Sequence, residues 1–571
     1  MEPEEYLDKA AAFSDEIEDP YPEQKRMARI LFESMKIQGV VQVSQGPTGM
    51  GKTLVQVSVA KALVDLGKRV LIAVPTYNHL NDNTIRELEW IDVDRPSIIY
   101  GISNKRYTDV KCPLGRSYCH RNPISKTCQE QIESCPIAKE RGEATKGSLA
   151  LTVHHMIASK PTIMNDFDVI LIDESHGLPE VIRGQAEKTI TPNALNKFFQ
   201  TYKDAVDLDH AQKLMKRAQR QLQRDKRPPR SWADDILSNL RETAREHPNN
   251  ENFAEWRYYD FAEWASDGTL HFRQHRKKIQ VPDHLSVGLI SATIEEPRAH
   301  VKDCEFANLI LRPPDVYDTP EFRRRFEHRP IFGIKDGPRL GKADPKNYAT
   351  FRDEANRIIH ELVTEIKEVT LILCQNKRDA RSIASALEQD ITLKNRLTML
   401  DDEQFEELDS FEDYIQAEID TGKRLIVATA SSRLWEGANV PKLHFLIIDA
   451  LPYRRASSLE QRATKGRQRA QSWKAWRRFM LTRIQQGVGR LVRKKDEWGI
   501  AVIIDGRFHS NHKQFFRELP LYITSPQIFR WTERKKARQD IQRMIGFLRR
   551  GKSGRRDKLL DELLGEQVAV S

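Results

Sequence analysis

Residues Val40–Asp65 read VVQVSQGPTGMGKTLVQVSVAKALVD. A β-branched run ends in the octet Gly46-Pro47-Thr48-Gly49-Met50-Gly51-Lys52-Thr53, and an apolar helix former follows. The octet fits G-x-x-x-x-G-K-[ST] at every fixed position, in the strand–loop–helix context the pattern requires. Gly46, Gly49 and Gly51, with Thr48 among them, let the backbone curl so that its N–H groups face phosphate oxygens. The start of the following helix adds a favourable dipole. Lys52 is expected to reach the β- and γ-phosphates, and the Thr53 hydroxyl to ligate Mg²⁺. The stretch therefore predicts a nucleoside triphosphate site at the end of a buried strand.

Working outward, similar short runs recur. Arg69–Thr76, Leu149–His155, Phe167–Glu174 and Ser286–Thr293 join Val40–Ser44 in one set. Val369–Asn376, Arg424–Ala430, His444–Leu451 and Gly499–Gly506 form a second. Near-continuous apolar strands separated by helical stretches predict parallel sheets covered on both faces. Two sets predict two α/β domains. Asp173-Glu174-Ser175-His176 closes the strand of the third run. A carboxylate there can hold Mg²⁺, and the next can orient or deprotonate the attacking water. The bland alternative is a solvated loop. In the second half, Gln486-Gly487-Val488-Gly489-Arg490-Leu491-Val492-Arg493 sets two arginines three apart on one helical face. Presented to a γ-phosphate from a second domain, Arg490 and Arg493 would act as arginine fingers. Alone, they would read as a surface pair.

Composition narrows the class. The chain has 571 residues, a net charge of +10, a pI near 9.1 and a mean hydropathy of −0.61. That length suggests three or four domains. No apolar run approaches the roughly 18 residues of a membrane span. The opening MEPEEYLDKA lacks the layout of a secretory signal, and six cysteines are too few for a disulfide scaffold. The basic excess is local. Residues 211–230, 454–478 and 534–556 together hold 27 Lys/Arg against three acids, whereas the remainder holds 65 against 79. Such runs are either solvated helix faces or a polyanion surface. Trp473, Trp476 and Phe479 lie in or beside the middle run and could stack on bases or pack.

In this setting the residues resemble the superfamily 2 helicases of the XPD/DinG type, and the resemblance runs through most of the chain. Tyr21-Pro22-x-Gln24 is similar to the segment that contacts adenine. The glycine-rich octet resembles motif I, Asp173–His176 the DEAH-type motif II, and Ser291-Ala292-Thr293 motif III. Trp435–Asn439 with Leu451-Pro452-Tyr453 resembles the motif V region. Gln486–Arg493, followed by Ile503–Arg507, resembles motif VI and its downstream strand. Gln45, Ser175 and Tyr453 depart from the commoner residues, and none removes a catalytic group. The resemblance implies Lys52, Asp173, Glu174, His176, Gln486, Arg490 and Arg493 as the catalytic set. It implies ATP and Mg²⁺ as ligands, and 5′→3′ movement on DNA.

Between motifs I and II the family inserts an iron–sulfur domain. Here Cys112, Cys119, Cys128 and Cys135 stand as C-x6-C-x8-C-x6-C. Four thiolates can hold a [4Fe–4S] cluster or a tetrahedral Zn²⁺. The spacing lacks the tight C-x2-C pairs of zinc ribbons, and Cys135-Pro136 resembles the family's Cys-Pro segment. Cys374, on an apolar strand, reads as a core residue.

The expected fold class is α/β, with two RecA-like doubly wound parallel-sheet domains. The first domain is expected over 1–104, 146–184 and 284–320. It is interrupted by the four-cysteine insertion at 105–145 and by a helical arch at 185–283. The second domain covers 321–571. The expected function is an ATP-dependent 5′→3′ DNA helicase, a cytoplasmic monomer acting on single-stranded and forked DNA without membrane contact. The rival readings are an ATP-gated nucleic-acid clamp or remodeller, and a helicase for RNA or RNA–DNA hybrids. Compact DinG-like helicases also occur on mobile elements, some with type IV CRISPR systems. Recruitment by a CRISPR or repair complex therefore stays open.

Overall fold

A computed structural model of the chain describes residues 1–100, 142–317, 329–400, 411–429, 440–453, 467–492 and 497–550, apart from short stretches at 14–19, 47–49, 78–79, 94–95, 145, 160, 185–186, 203–207, 225, 227, 248–255, 257–258, 265–268, 274–278, 280, 293, 295, 341–344, 520–522 and 524–527.

The chain begins with α1 (Pro3–Phe13), α2 (Pro22–Met35), β1 (Val40–Gln45), α3 (Lys52–Asp65), β2 (Val70–Val74), β3 (Ser97–Ile98), β4 (Leu149–Val153) and β5 (Val169–Ile172). An excursion follows through β6 (Glu187–Ile190), α4 (Pro192–Tyr202), α5 (Asp209–Leu222), α6 (Arg230–Glu246), β7 (Phe261–Trp264) and β8 (Leu270–Arg273). The chain then returns as β9 (Ser286–Ser291), β10 (Ile310–Leu311) and β11 (Asp315–Val316). These strands, without β6–β8, make one parallel sheet in the order β10-β1-β9-β5-β2-β4-β3, with β11 beside β1. β2, β5 and β9 are buried at every residue. That burial explains their unbroken apolar character, since helices cover both faces. Gly288 in β9 marks a close approach. A Cβ there would lie 2.8 Å from Leu171 and 2.9 Å from Leu31 of α2.

The second half holds β12 (Ile331–Ile334), α7 (Pro345–Glu365), β13 (Val369–Cys374), β14 (Leu397–Leu400), β15 (Leu425–Thr429), β16 (Leu443–Ile448), α8 (Arg467–Val488), β17 (Ile500–Ile503), β18 (Phe529–Thr532) and α9 (Arg534–Arg550). Its seven strands are parallel, in the order β14-β15-β13-β16-β17-β12-β18. α7 and α9 cover one face, with Ile359, Leu362, Ile541 and Leu548 in the core, and Cys374 is buried among them. On the other face Met480, Leu481, Ile484 and Val488 of α8 join a core that continues into the first domain. The two sheets thus meet through a shared apolar interior.

The excursion at 185–283 is mainly helical, and it also holds a small sheet. β6, β8 and β7 form a three-stranded antiparallel sheet, and α4–α6 pack with it around a separate core of Phe199, Met215, Leu240, Trp256, Trp264 and Phe272. Each strand has four residues. Alternation over so short a span leaves little to read in sequence. The edge strands β3, β10 and β11 have two residues each and are equally faint. Among the described residues no helix is long and apolar enough to cross a membrane.

Candidate nucleotide-binding site

β1 delivers the glycine-rich loop to the edge of the sheet, where the Gly46 amide donates to the Ser291 carbonyl at 3.2 Å. Gly51 caps α3 in the left-handed region, at φ 69°. A side chain there would be strained, and its Cβ would lie 2.5 Å from Gln24 Nε2. Gln24 therefore presses directly on the loop. Its other amide atom, Oε1, accepts from the Tyr21 amide at 2.7 Å and fixes the start of α2.

Lys52, the first residue of α3, is buried. Its Nζ lies 3.9 Å from Glu174 Oε1. Thr53 Oγ1 donates to Asp173 Oδ2 at 3.2 Å. Asp173 follows β5 directly, is 1% exposed, and accepts from the Glu174 amide at 2.9 Å through Oδ1. His154 Nε2 holds the Asp173 carbonyl oxygen at 2.8 Å. Glu174 itself sits at φ 42°, a costly conformation for a non-glycine residue that turns its carboxylate toward Lys52.

A third carboxyl lies close by. Glu87 Oε2 is buried and has no hydrogen-bond partner among the described residues. Burial first, and the Asp173 carboxylate second, push the Glu87 carboxyl up to about 8. Acid thus outweighs base around Lys52. Thr53 and Asp173 are hard oxygen donors of the kind Mg²⁺ prefers, and the left-handed turn at Gly51 suits a phosphate cradle. The residues fit a Mg²⁺–nucleotide.

From Glu174 a polar line runs into the second domain. His176 Nδ1 is 3.3 Å from Glu174 Oε2 and 2.9 Å from Ser291 Oγ. Ser291 Oγ also reaches Glu174 Oε2 at 3.4 Å. On the far side of the ring, His176 Nε2 is 2.7 Å from Gln486 Nε2 of α8. With the Gln486 amide donating, the imidazole carries its proton on Nδ1, facing Glu174 and Ser291. Beside it, Gln485 Nε2 donates to the Ala292 carbonyl at 3.1 Å. Arg490, one turn beyond Gln486, is also buried. Asp505 braces the α8 side. It accepts from the Leu451 amide at 3.1 Å and from Arg507 Nε at 3.0 Å.

The structure thus gathers Gln24, Gly46, Gly51, Lys52, Thr53, Asp173, Glu174, His176, Gln486 and Arg490 on two facing bodies. Thr48, Gly49, Arg493, Thr293, Trp435–Asn439 and the four cysteines lie outside the described residues. Glu87 and Gln485 were not singled out from sequence. A polar residue directly before a recognised motif residue, as Gln485 is, would have been the usable signal. Glu87 offers none.

The basic run at 534–556 is partly engaged within the chain, while Lys535, Lys536 and Arg543 stay exposed. In α9, Arg534 pairs with Asp336 at 3.3 Å and with Glu354. Arg538 pairs with Glu365, and Arg549 with Glu368. In α8, Arg477 Nε donates to Glu518 at 2.7 Å, and Arg483 lies 5.0 Å over the Phe479 ring. The side chains of Trp473 and Trp476 lie outside the described residues.

Two family models match the chain. A type III restriction enzyme res subunit model covers residues 17–206, and a helicase C-terminal domain model covers residues 359–522. A protein of Methanocaldococcus jannaschii named as a probable ATP-dependent helicase is 27% identical over 240 residues, 38% of this chain and 34% of that protein. The match therefore spans about a third of the relative's length. Among solved structures, an XPD helicase aligns with a TM-score of 0.56 at 15% identity, over 90% of this chain and 99% of the other. The Xpd4 structure from S. tokodaii aligns with a TM-score of 0.53 at 12% identity, over 89% and 99%. Likeness at these identities speaks to the fold, and that fold has two RecA-like domains.

Proposed function

We propose an activity for a chain that belongs to the superfamily 2 helicases and has the XPD fold: ATP hydrolysis that drives 5′→3′ movement on single-stranded DNA and separates duplexes. The observation that carries this reading is the polar line Glu174–His176–Gln486, which ties a candidate water-orienting carboxylate of one sheet to the helix of the other.

In this reading the loop amides and Lys52 hold the phosphates. Thr53 and Asp173 hold Mg²⁺, which when bound would neutralise charge developing on the transferred phosphoryl group. Lys52 leaves Glu174 for the phosphates, and Glu174 is then able to orient the attacking water. Arg490, with Arg493, stabilises the transition state from the second domain. A change at the γ-phosphate alters the hydrogen bonding of Glu174 and hence of His176 and Gln486. Domain closure follows the nucleotide state through this line, and a strand bound across both domains is moved in steps. Strand binding rests on backbone charge and stacking, with little base specificity.

The four cysteines belong to the same proposal. A set of four thiolates suits a [4Fe–4S] cluster, with Zn²⁺ as the alternative, acting as a brace. A broad visible absorption shoulder in anaerobically purified protein supports iron–sulfur; a colourless protein carrying zinc excludes it.

The testing experiment is strand displacement on forked DNA, run beside ATP turnover. Unwinding that requires ATP and Lys52 supports the helicase reading. Nucleic-acid-stimulated turnover without displacement would favour a clamp or remodeller. Displacement confined to RNA–DNA hybrids would move the substrate class.

A further inference from the structure

The small body between β5 and β9 carries a feature that nucleotide chemistry does not use. α5 reads DHAQKLMKRAQRQL over fourteen residues, a length of about 21 Å. Ala211, Leu214, Met215 and Ala218 are buried in the body's own core. The opposite face presents Lys213, Lys216, Arg217 and Arg220, and the chain beyond it adds Arg224 and Lys226, all exposed. None of these six makes an ion pair or hydrogen bond through its side chain among the described residues. No acid follows Asp209 within the helix.

Two neighbours carry their charge differently. α6, in the same body, mixes Asp234, Asp235, Glu242 and Glu246 with Arg241 and Arg245. α9 is as basic as α5, yet its Arg534, Arg538 and Arg549 are engaged by acids, which leaves Lys535, Lys536 and Arg543 exposed, against all six in and after α5. The α5 cations are therefore left for something outside the chain. Both connections to this body leave the first domain at adjacent strands, β5 and β9, which also carry Asp173–His176 and Ser291.

We propose that the outer face of α5 docks the phosphate backbone of double-stranded DNA beside the strand engaged by the two α/β domains. Charge decides polyanion: single-sign cations recur about once per helical turn, against one duplex charge per about 1.7 Å. Absent aromatics decide duplex. Surfaces for single strands stack exposed bases on aromatic rings, and α5 contains no Phe, Tyr or Trp. A double helix hides its bases and offers only phosphates to such a face. The assignment rests on the motor reading for its purpose, though not for its measurement.

The test uses the full chain with Lys213→Gln/Lys216→Gln/Arg217→Gln/Arg220→Gln, because glutamine keeps helix propensity. Affinity for a blunt DNA duplex is read across salt by fluorescence anisotropy. The expected result is a loss of ~10-fold or more, with the salt slope shallower by about 3 to 4. Single-strand affinity and single-strand-stimulated ATP turnover stay unchanged. A charge-keeping Lys213→Arg/Lys216→Arg variant binds duplex like the parent, which separates charge from folding damage. Unchanged duplex affinity and slope overturn the proposal, as does a parent chain that binds no duplex. An equal fall in single-strand affinity overturns the duplex assignment. A parent that binds duplex through these residues but shows no nucleic-acid-stimulated turnover overturns the motor reading and leaves the docking face standing.

Discussion

The two α/β domains share a sheet architecture but treat buried charge in opposite ways. In the second, each buried acid among the described residues has its base. Arg352 donates twice to Asp449 at 2.6 Å, and Asp505 is gripped by Arg507 and the Leu451 amide. In the first, Glu174 lies beside Lys52, and a buried Glu87 faces the Asp173 carboxylate and is pushed up to about 8. The contrast teaches a division of labour. The second domain pairs its buried carboxylates internally. The first holds an excess of acid that a Mg²⁺–nucleotide would relieve. Local strain at Glu174, φ 42°, falls on the same side.

If this division is right, Lys52→Ala should produce the largest effect: nucleic-acid-stimulated ATP hydrolysis falls to background. Its circular dichroism should match the parent. Normal turnover would show that the acids of the first domain serve something other than a nucleotide. Next, Arg352→Ala should destabilise the second domain by about 3–5 kcal/mol, because it strands a buried carboxylate. Chemical denaturation measures this, and a change within error would mean the pair is not what completes that domain.

Glu87 gives a pH test. Its folded value lies above the unfolded one, so the folded state keeps a proton that the unfolded chain releases as pH rises. The stability this group contributes is present below its ordinary value of 4.5 and is lost as pH climbs toward about 8. The slope is at most about 1.4 kcal/mol per pH unit. Glu87→Gln should flatten that slope in nucleotide-free protein; identical pH profiles in parent and variant would refute the acid excess. Smallest is Gln486→Ala, which should slow turnover by roughly 10-fold by cutting the link to His176. Paired with His176→Ala, it should add little further loss, since both act through one contact. Fully additive losses would show two independent roles.

What was legible in the sequence follows burial. All nine expected strands formed, because strands covered on both faces are apolar throughout. The loop at Gly46–Thr53 and the carboxylates at Asp173 and Glu174 were legible because their chemistry fixes spacing. The antiparallel sheet β6–β8 was not, since four residues give too few alternations. Nor was Glu87, whose nearness to Asp173 comes from tertiary packing alone. The basic runs are the sharpest case. α5 and α9 look alike as strings, yet Asp336, Glu354, Glu365 and Glu368 engage Arg534, Arg538 and Arg549 of α9 from far along the chain.

The central claim is that both domains build one catalytic pocket. Arg490→Ala tests it most directly, with ATP turnover and nucleotide binding read on the same preparation. A cationic finger is worth about 10³–10⁵ in turnover. The account predicts a loss of that order with nucleotide still bound to the first domain. Turnover equal to the parent's would mean that the second domain supplies nothing to the chemistry.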